Sequence, residues 1–259
     1  MDNKKLTEYS DLARSTLSDL SEIFKQKRKD GFRVIRKEKR ELVTELDVFV
    51  QNFIKERFTR EIGSVEIVSE EMRENLASDQ NYWSIDPIDG THNFVAGLPS
   101  YGVSAAYIEQ GEVLIGVISL PDTNTIYHAI KGLGAFENDK KLTVSNVDDL
   151  SKSIVAYDNQ FHLSSNMIDN FISLTEECFT TRIHGCSVID ASYVAKGLLS
   201  ARIYNSTKLC DIAAGIILVK ESGGIASDFT GDEIDLSNPI DVVFSAPAIH
   251  KELISILKK

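Results

Sequence analysis

The chain is short of cysteine, of long apolar runs and of positive charge. Its three cysteines, Cys178, Cys186 and Cys210, are sparse, odd in number and without CxxC spacing. That argues against a disulfide framework or a zinc cluster and for reduced thiols in a cytosolic protein. No segment approaches the roughly 18 apolar residues needed to span a bilayer. Met1 opens a polar, charged segment without the apolar core of a secretory signal. A cytoplasmic protein with no membrane partner is therefore expected. Basic residues number 28 against 39 acids, for a formal charge of −11. Such a chain repels a polyphosphate backbone, and it has no basic stripe interleaved with aromatics, so no nucleic-acid polymer is expected as a partner. Internal repeats, low-complexity tracts and a flexible linker are absent too, which implies tightly packed halves.

What is present is an ordinary supply of core. With 259 residues and 42% hydrophobic content, the chain suffices for one large domain or two subdomains sharing an interface. Apolar positions at Leu6, Tyr9, Ala13, Leu17, Leu20 and Phe24 recur every three or four residues and predict an amphipathic helix. Lys25 to Arg40 is dense in charge and reads as a loop or hairpin. Thr44 reads as the N-cap of a second helix reaching about Ile62, with Asp47 at its third position. Short strands are expected at 65–68 and 83–86, a hairpin at 103–120, and a further apolar segment at 125–130. After residue 150 the pattern alternates: strands at 154–157, 181–184, 201–204 and 242–245, with helices at 164–178, 187–198, 211–222 and 248–257. Residues 1–150 thus read as an α+β unit with a mainly antiparallel sheet, and 151–259 as an α/β unit.

The most informative stretch is Asp86-Pro87-Ile88-Asp89-Gly90-Thr91. It follows an apolar strand and precedes the start of a helix. Two carboxylates at a strand end suit a hard divalent cation such as Mg²⁺, which takes oxygen ligands. Gly-Thr at a helix N-terminus suits phosphate, through unpaired amides and the positive end of the dipole. Asp-Pro and Asp-Gly are also common turn dipeptides, so a solvated turn is the competing reading. Net acidity favours the metal: a phosphorylated small molecule approaches a negative protein more readily where cations invert the local field. Glu70-Glu71 ends another short strand, and Asp211 opens a helix. Alone they read as a solvated loop and an N-cap.

Asp86 to Thr91, with Asn93-Phe94 behind it, resembles the first signature of the inositol monophosphatase family. Asp211-Ile-Ala-Ala-Gly215, followed by Glu221-Ser-Gly-Gly224, resembles its second, Glu70-Glu71 its acidic pair and Leu42-Val43-Thr44 with Asp47 its early helix start. The resemblance covers nearly the whole chain. It implies a five-layered α-β-α-β-α sandwich, usually dimeric, and a Mg²⁺-dependent, lithium-sensitive phosphomonoesterase holding two or three ions. By that resemblance one ion falls to Glu70, Asp86 and the Ile88 carbonyl, a second to Asp86, Asp89 and Asp211, and a looser third to Glu70. Thr91 matches the residue that activates the attacking water, with Asp47 as its acidic partner. Gly90 and Thr91 match the phosphate cradle, and Gly185, Cys186 and Ser187 the contacts to the substrate's alcohol.

Four positions depart from the family pattern. Ser69 stands for a usual Gly, Leu46 for Thr and Cys210 for Trp. By position Tyr204 is expected among the substrate contacts, but it stands where inositol-specific members carry a Glu that binds inositol hydroxyls, so another phosphorylated sugar or polyol is expected. Fructose 1,6-bisphosphate, histidinol phosphate and 3′(2′),5′-bisphosphate nucleotides are the alternatives, and a non-catalytic metal-binding relative is a further one. Arg202 and Lys208 read either as partners for a second anionic group or as solvated charges.

Overall fold

The computed structural model describes residues 1–38, 41–69, 81–236 and 241–257. Helix α1 (Asn3–Asp30) is capped by the Asp2 side chain on Lys5 N and ends at Gly31, whose φ of +85° favours glycine. It outlasts the expected helix because Lys25 to Asp30 is helical, not a loop. Lys, Gln and Arg are good helix formers, and Lys27, Arg28 and Lys29 complement the C-terminal dipole. The hairpin begins only at β1 (Val34–Glu38), which pairs antiparallel with β2 (Glu41–Thr44). Thr44 then caps α2 (Glu45–Ile62) in a capping box with Asp47.

Strands β3 (Glu66–Ser69), β4 (Tyr82–Asp89), β5 (Gly102–Glu109), β6 (Glu112–Leu120), β7 (Thr125–Ile130), β8 (Gly134–Glu137) and β9 (Lys140–Lys141) form a seven-stranded sheet in chain order. Strand β3 runs parallel to β4 and the other neighbours are antiparallel. The short helix α3 (Thr91–Val95) leaves the end of β4. The second half supplies β10 (Ile154–Ala156), α4 (Ser165–Glu177), β11 (Thr180–Arg182), α5 (Ser187–Ala195), β12 (Ala201–Tyr204), α6 (Leu209–Glu221), β13 (Ile225–Asp228), β14 (Val242–Ser245) and α7 (Pro247–Ile256). Its five strands lie in the order β11-β10-β12-β14-β13. Strands β8, β9 and β13 were not anticipated, and β11 stops short of the expected 181–184, leaving His184 in a loop.

Three apolar cores fill the interfaces between five layers, the middle one spanning two of them. Leu17, Leu20 and Phe24 of α1 and Val50, Ile54 and Phe58 of α2 pack with Trp83, Ile85, Val103 and Ile115 on one face of the large sheet. On its other face Ala106, Ile118 and Ala129 meet Val188 and Ala191 of α5 and Ala213, Ile216 and Ile217 of α6, which also touch Phe244 of the small sheet. Met167 and Leu174 of α4 and Ile249 and Leu253 of α7 cover the far side with Val155, Ile203 and Val243. The order is α-β-α-β-α, as the resemblance implied. Among the described residues no helix is long and apolar enough to cross a membrane.

The middle layer fits because Gly116 has no side chain: a Cβ there would lie 2.5 Å from Ile217 Cγ2 and 2.6 Å from the Ala214 carbonyl. Gly116→Ala should therefore lower stability by about 1–3 kcal/mol, the usual cost of overpacking, read from the midpoint of urea unfolding. His250 of α7 is buried, with Nδ1 2.7 Å from Ser245 Oγ and Nε2 3.2 Å from Ser227 Oγ. Burial pushes its pKa below the ordinary 6.5. The unfolded chain then binds the proton more tightly, so this contribution to stability is present above pH 6.5 and is lost as pH falls toward the depressed folded value. His250→Gln should flatten the loss of stability on acidification below about pH 6.5, measured by urea unfolding at a series of pH values.

Candidate active site

Period-two alternation along β4 places Asp86. Trp83 and Ile85 point into the core beneath α1 and α2, so Ser84 and Asp86 face the opposite side, toward α5 and α6. Asp86 pairs across the strands with Ser104, whose hydroxyl donates to the Cys210 carbonyl at 3.3 Å. The residue after Cys210 is Asp211, the third of α6. Asp86 is 1% exposed, and its Oδ1 accepts from Ile88 N at 3.1 Å. Asp211 is half-buried; its Oδ2 accepts from Thr207 Oγ1 at 3.2 Å and Lys208 N at 3.4 Å, and its Oδ1 from the Cys210 thiol at 3.5 Å.

Between Asp86 and Asp89 the register slips, and Asp89 pairs again with Gly102 before the chain leaves the sheet at Gly90. Asp89 Oδ2 accepts from Val188 N at 2.6 Å and from the Cys186 thiol at 3.1 Å, so a carboxylate of the first half caps the N-terminus of α5. Gly90 follows with φ +80°; a Cβ there would lie 2.8 Å from the Ser100 carbonyl and 3.2 Å from Cys186 Cβ. Only glycine allows this approach. Thr91 donates its hydroxyl to the Ile88 carbonyl at 2.8 Å. Asn93 Nδ2 reaches the carbonyls of Ser100 and His184 at 2.8 Å each and of Gly185 at 3.2 Å. The loop 184–188 is thereby sewn onto the turn 86–93. Asp47 lies on the other flank: its Oδ2 accepts from Thr44 N and Thr44 Oγ1, both at 2.7 Å, and β2 packs against α3.

The sequence's candidates divide accordingly. Asp86, Ile88, Asp89, Gly90, Thr91, Gly185, Cys186, Ser187 and Asp211 belong to this junction, with Asp47 beside it. Glu70 and Glu71 lie outside the described residues; Ser69, the last residue of β3, pairs with Ile85, next to Asp86. Tyr204 needs correction. It is 0% exposed, its hydroxyl donates to the Ser187 carbonyl at 3.0 Å, and burial pushes its pKa well above 10. It backs the loop as a neutral donor and presents no surface to a substrate. Arg202 is neither solvated nor an anion receptor: at 2% exposure, its Nε is 3.0 Å from Asp190 and its Nη2 3.7 Å from Asp158. Burial opposes its charge, but those two acids outweigh that and raise its pKa. Lys208 is exposed. Asn93 stood out in the sequence only by its place within the signature; Arg202 reads there as an anion partner or a solvated charge and His184 as structural, and nothing in the sequence links either to Asp190.

The donor set fits a hard cation in kind: carboxylates and a carbonyl, buried or half-buried, with neutral donors fixing their orientation. Among the described residues no three His, Cys, Asp or Glu side chains form a metal cluster by themselves; the assigned ligands include Glu70, which lies beyond them. Ser69, Leu46 and Cys210, the other three departures from the pattern, are buried as Tyr204 is. Ser69 bonds Gln51 of α2, Leu46 joins the first core, and the Cys210 thiol turns to Asp211.

The profile of the Inositol monophosphatase family matches residues 5–259. A Thermotoga maritima protein named fructose-1,6-bisphosphatase/inositol-1-monophosphatase is 33% identical over 220 residues, covering 85% of this chain and 84% of its own. A Pasteurella multocida protein named Nus factor SuhB is 33% identical over 232 residues, covering 88% and 86%. The solved structure of a Thermotoga maritima IMPase superposes with a TM-score of 0.88 at 29% identity, covering 96% of both chains. With the signatures, the layer order and these likenesses in agreement, the chain belongs to the inositol monophosphatase family.

Proposed function

We propose that this chain is a Mg²⁺-dependent phosphomonoesterase acting on a small phosphorylated sugar or polyol. The observation that carries the reading is the junction itself: Asp86 and Asp89 at the end of β4 meet α6 and α5, Asp86 linking to Asp211 through Ser104 and Cys210 and Asp89 to the start of α5. In this reading Asp86, Asp89, Asp211, the Ile88 carbonyl and Glu70 hold the ions. Bound Mg²⁺ supplies an acidified water and offsets charge on the phosphoryl oxygens.

The chain's own residues do the rest. Asp47, fixed by two donors from Thr44, and Thr91, fixed by the Ile88 carbonyl, orient the attacking water between them. The Gly90 and Thr91 amides cradle the phosphate, because the bare Gly90 backbone admits an anion closely. Gly185, exposed, and Ser187, half-buried, line the alcohol side. Positioning and charge complementarity suffice, since phosphoryl transfer asks little covalent chemistry of the protein. Residues 1–150 then contribute most ligands and 151–259 complete the site. A homodimer belongs to the same reading, and sedimentation reports it directly. The name Nus factor belongs to the relatives that bear it. Failure of Mg²⁺ to stimulate phosphate release from any sugar phosphate, inositol phosphate or nucleotide tried would favour the non-catalytic alternative.

In this reading Cys186 is not the nucleophile: it is 2% exposed and its thiol donates to the Asp89 carboxylate. Burial pushes its thiol well above 9, and the Asp89 carboxylate adds to the shift. The thiolate is the reactive form, so Cys186 should resist a disulfide reagent at about pH 8 in the folded protein and react only after unfolding, as peptide mapping would locate. Asp89→Asn should lose more than about 100-fold in kcat at saturating Mg²⁺, beyond the 10–100-fold typical of residues that merely support ligands. Without metal its melting temperature should hold, because an asparagine oxygen can still accept from Val188 N while one buried negative charge is removed. Wild-type turnover in that variant would contradict the assignment.

A further inference from the structure

Beneath the loop 184–188 lies a chain of charge that the proposed hydrolysis leaves unused. His184 Nδ1 is 2.5 Å from Asp190 Oδ1. Asp190, on the first turn of α5, is 0% exposed, and its Oδ2 is 3.0 Å from Arg202 Nε. That second contact is ionic without the alignment of a hydrogen bond. Arg202 is pinned in turn: its Nη1 donates to the Ile203 carbonyl at 2.7 Å, and its guanidinium lies 4.4 Å from the Tyr204 ring centre. Asp190 is thus held between two partners and cannot turn away from the histidine.

This fixes the imidazole chemically. A carboxylate only accepts, so the nitrogen facing Asp190 carries the hydrogen, and in the neutral ring Nε2 bears the lone pair. The ring stands edge-on to Tyr193 of α5 at 6.0 Å, and the His184 carbonyl accepts from Asn93 at 2.8 Å, so the ring is packed on α5 and its backbone is held at the site. With its Asp190 edge buried, the side chain keeps 27% exposure. A buried ion pair is weak evidence for stability, since well-packed apolar residues often serve as well. Here it ends on a half-exposed histidine one residue before Gly185. Tyr204 and Arg202, the polar side chains of β12, are both buried and committed elsewhere.

We propose that His184 is a specificity residue of the alcohol side of this site: its Nε2 accepts a hydrogen bond from a hydroxyl of the substrate's sugar or polyol moiety, with Asp190 and Arg202 as positioning residues. The proposal rests on the phosphomonoesterase reading and adds the group that reads the alcohol. It is also compatible with Tyr204, which is buried and donates to Ser187 and so offers the alcohol no acceptor from β12.

The test compares the full-length wild type, His184→Phe and His184→Gln with Mg²⁺ on D-myo-inositol 1-phosphate, glycerol 2-phosphate and p-nitrophenyl phosphate, whose alcohol has no further hydroxyl. The ratio of kcat/KM for the better hydroxylated ester to that for the aryl ester should fall about tenfold in His184→Phe, mainly through KM, the scale of one lost hydrogen bond. His184→Gln, which keeps an acceptor, should recover most of it. A ratio within twofold of wild type in His184→Phe, or equal losses on all esters, overturns the proposal. A wild type that hydrolyses only the aryl ester also overturns it and leaves the phosphatase reading standing; no hydrolysis of any ester overturns both. Because His184→Phe can fail to fold, ¹⁵N imidazole spectra of the wild type give an independent readout. Nδ1 protonated and Nε2 bare, with Nε2 shifted by added myo-inositol, is the expected result, and the reverse tautomer overturns the assignment.

Discussion

The salient constraint is the bond from Val188 N to the Asp89 carboxylate, 2.6 Å long and buried. It spans 99 residues and joins an acid that would repel its neighbours to a helix start that needs an acceptor. Each requirement answers the other. Around it the loop 184–188 is held by Asn93, Gly90 comes against Cys186, and Tyr204 supports Ser187 from behind. The acids are accordingly oriented by amides, hydroxyls and thiols of their own surroundings, which suits carboxylates that must keep their charge for a divalent ligand.

That junction requires the two halves to stay in register, and the middle layer enforces this. Helix α6 is buried nearly all round, pressed onto Gly116 on one side and, through Gly215, against Ala191 and Phe244 on another. Glu221 at its end accepts from Gly132 N and Gly134 N, both at 2.8 Å, and Lys196 beyond α5 pairs with Glu137. The second signature is therefore doubly employed. Its aspartate stands at the site, while its Glu-Ser-Gly-Gly end fastens the same helix to the large sheet. Displacing α6 would move Asp211 and the packing partners of α5 together.

The layers were legible because periodicity marks burial: the two helical faces, the hairpin and the later alternation all appear as spaced apolar residues. The Asp86 turn was legible because its chemistry is local. Polarity misled at Lys25 to Asp30, where charged residues continue the helix and Arg28 lies over Phe94 and Tyr101 while bonding Asp122. It misled again at Arg202. Strand β12 is central in its sheet and covered on both faces, so no residue of it reaches solvent. Strands β8, β9 and β13 have only two to four residues each, too few to show a period. The His184–Asp190–Arg202 chain was invisible for a different reason. Its members sit on a loop, a helix and a strand, and no spacing announces that they meet.

The burial of Arg202 bears on how an acidic protein holds an anion. With this guanidinium already neutralised by Asp190 and Asp158, it offers a phosphate nothing. Of the basic side chains near the site, Lys208 is exposed, and an exposed charge is weakened by solvent and salt. Among the described residues the fixed positive ends near the site are backbone amides around Gly90 and the start of α5, and the latter is already occupied by Asp89. Set against a formal charge of −11, amides alone are a small counterweight. A phosphate at this junction would need cations brought by the carboxylates themselves. The same acids that make the protein repel phosphate would then be what allows it to bind one.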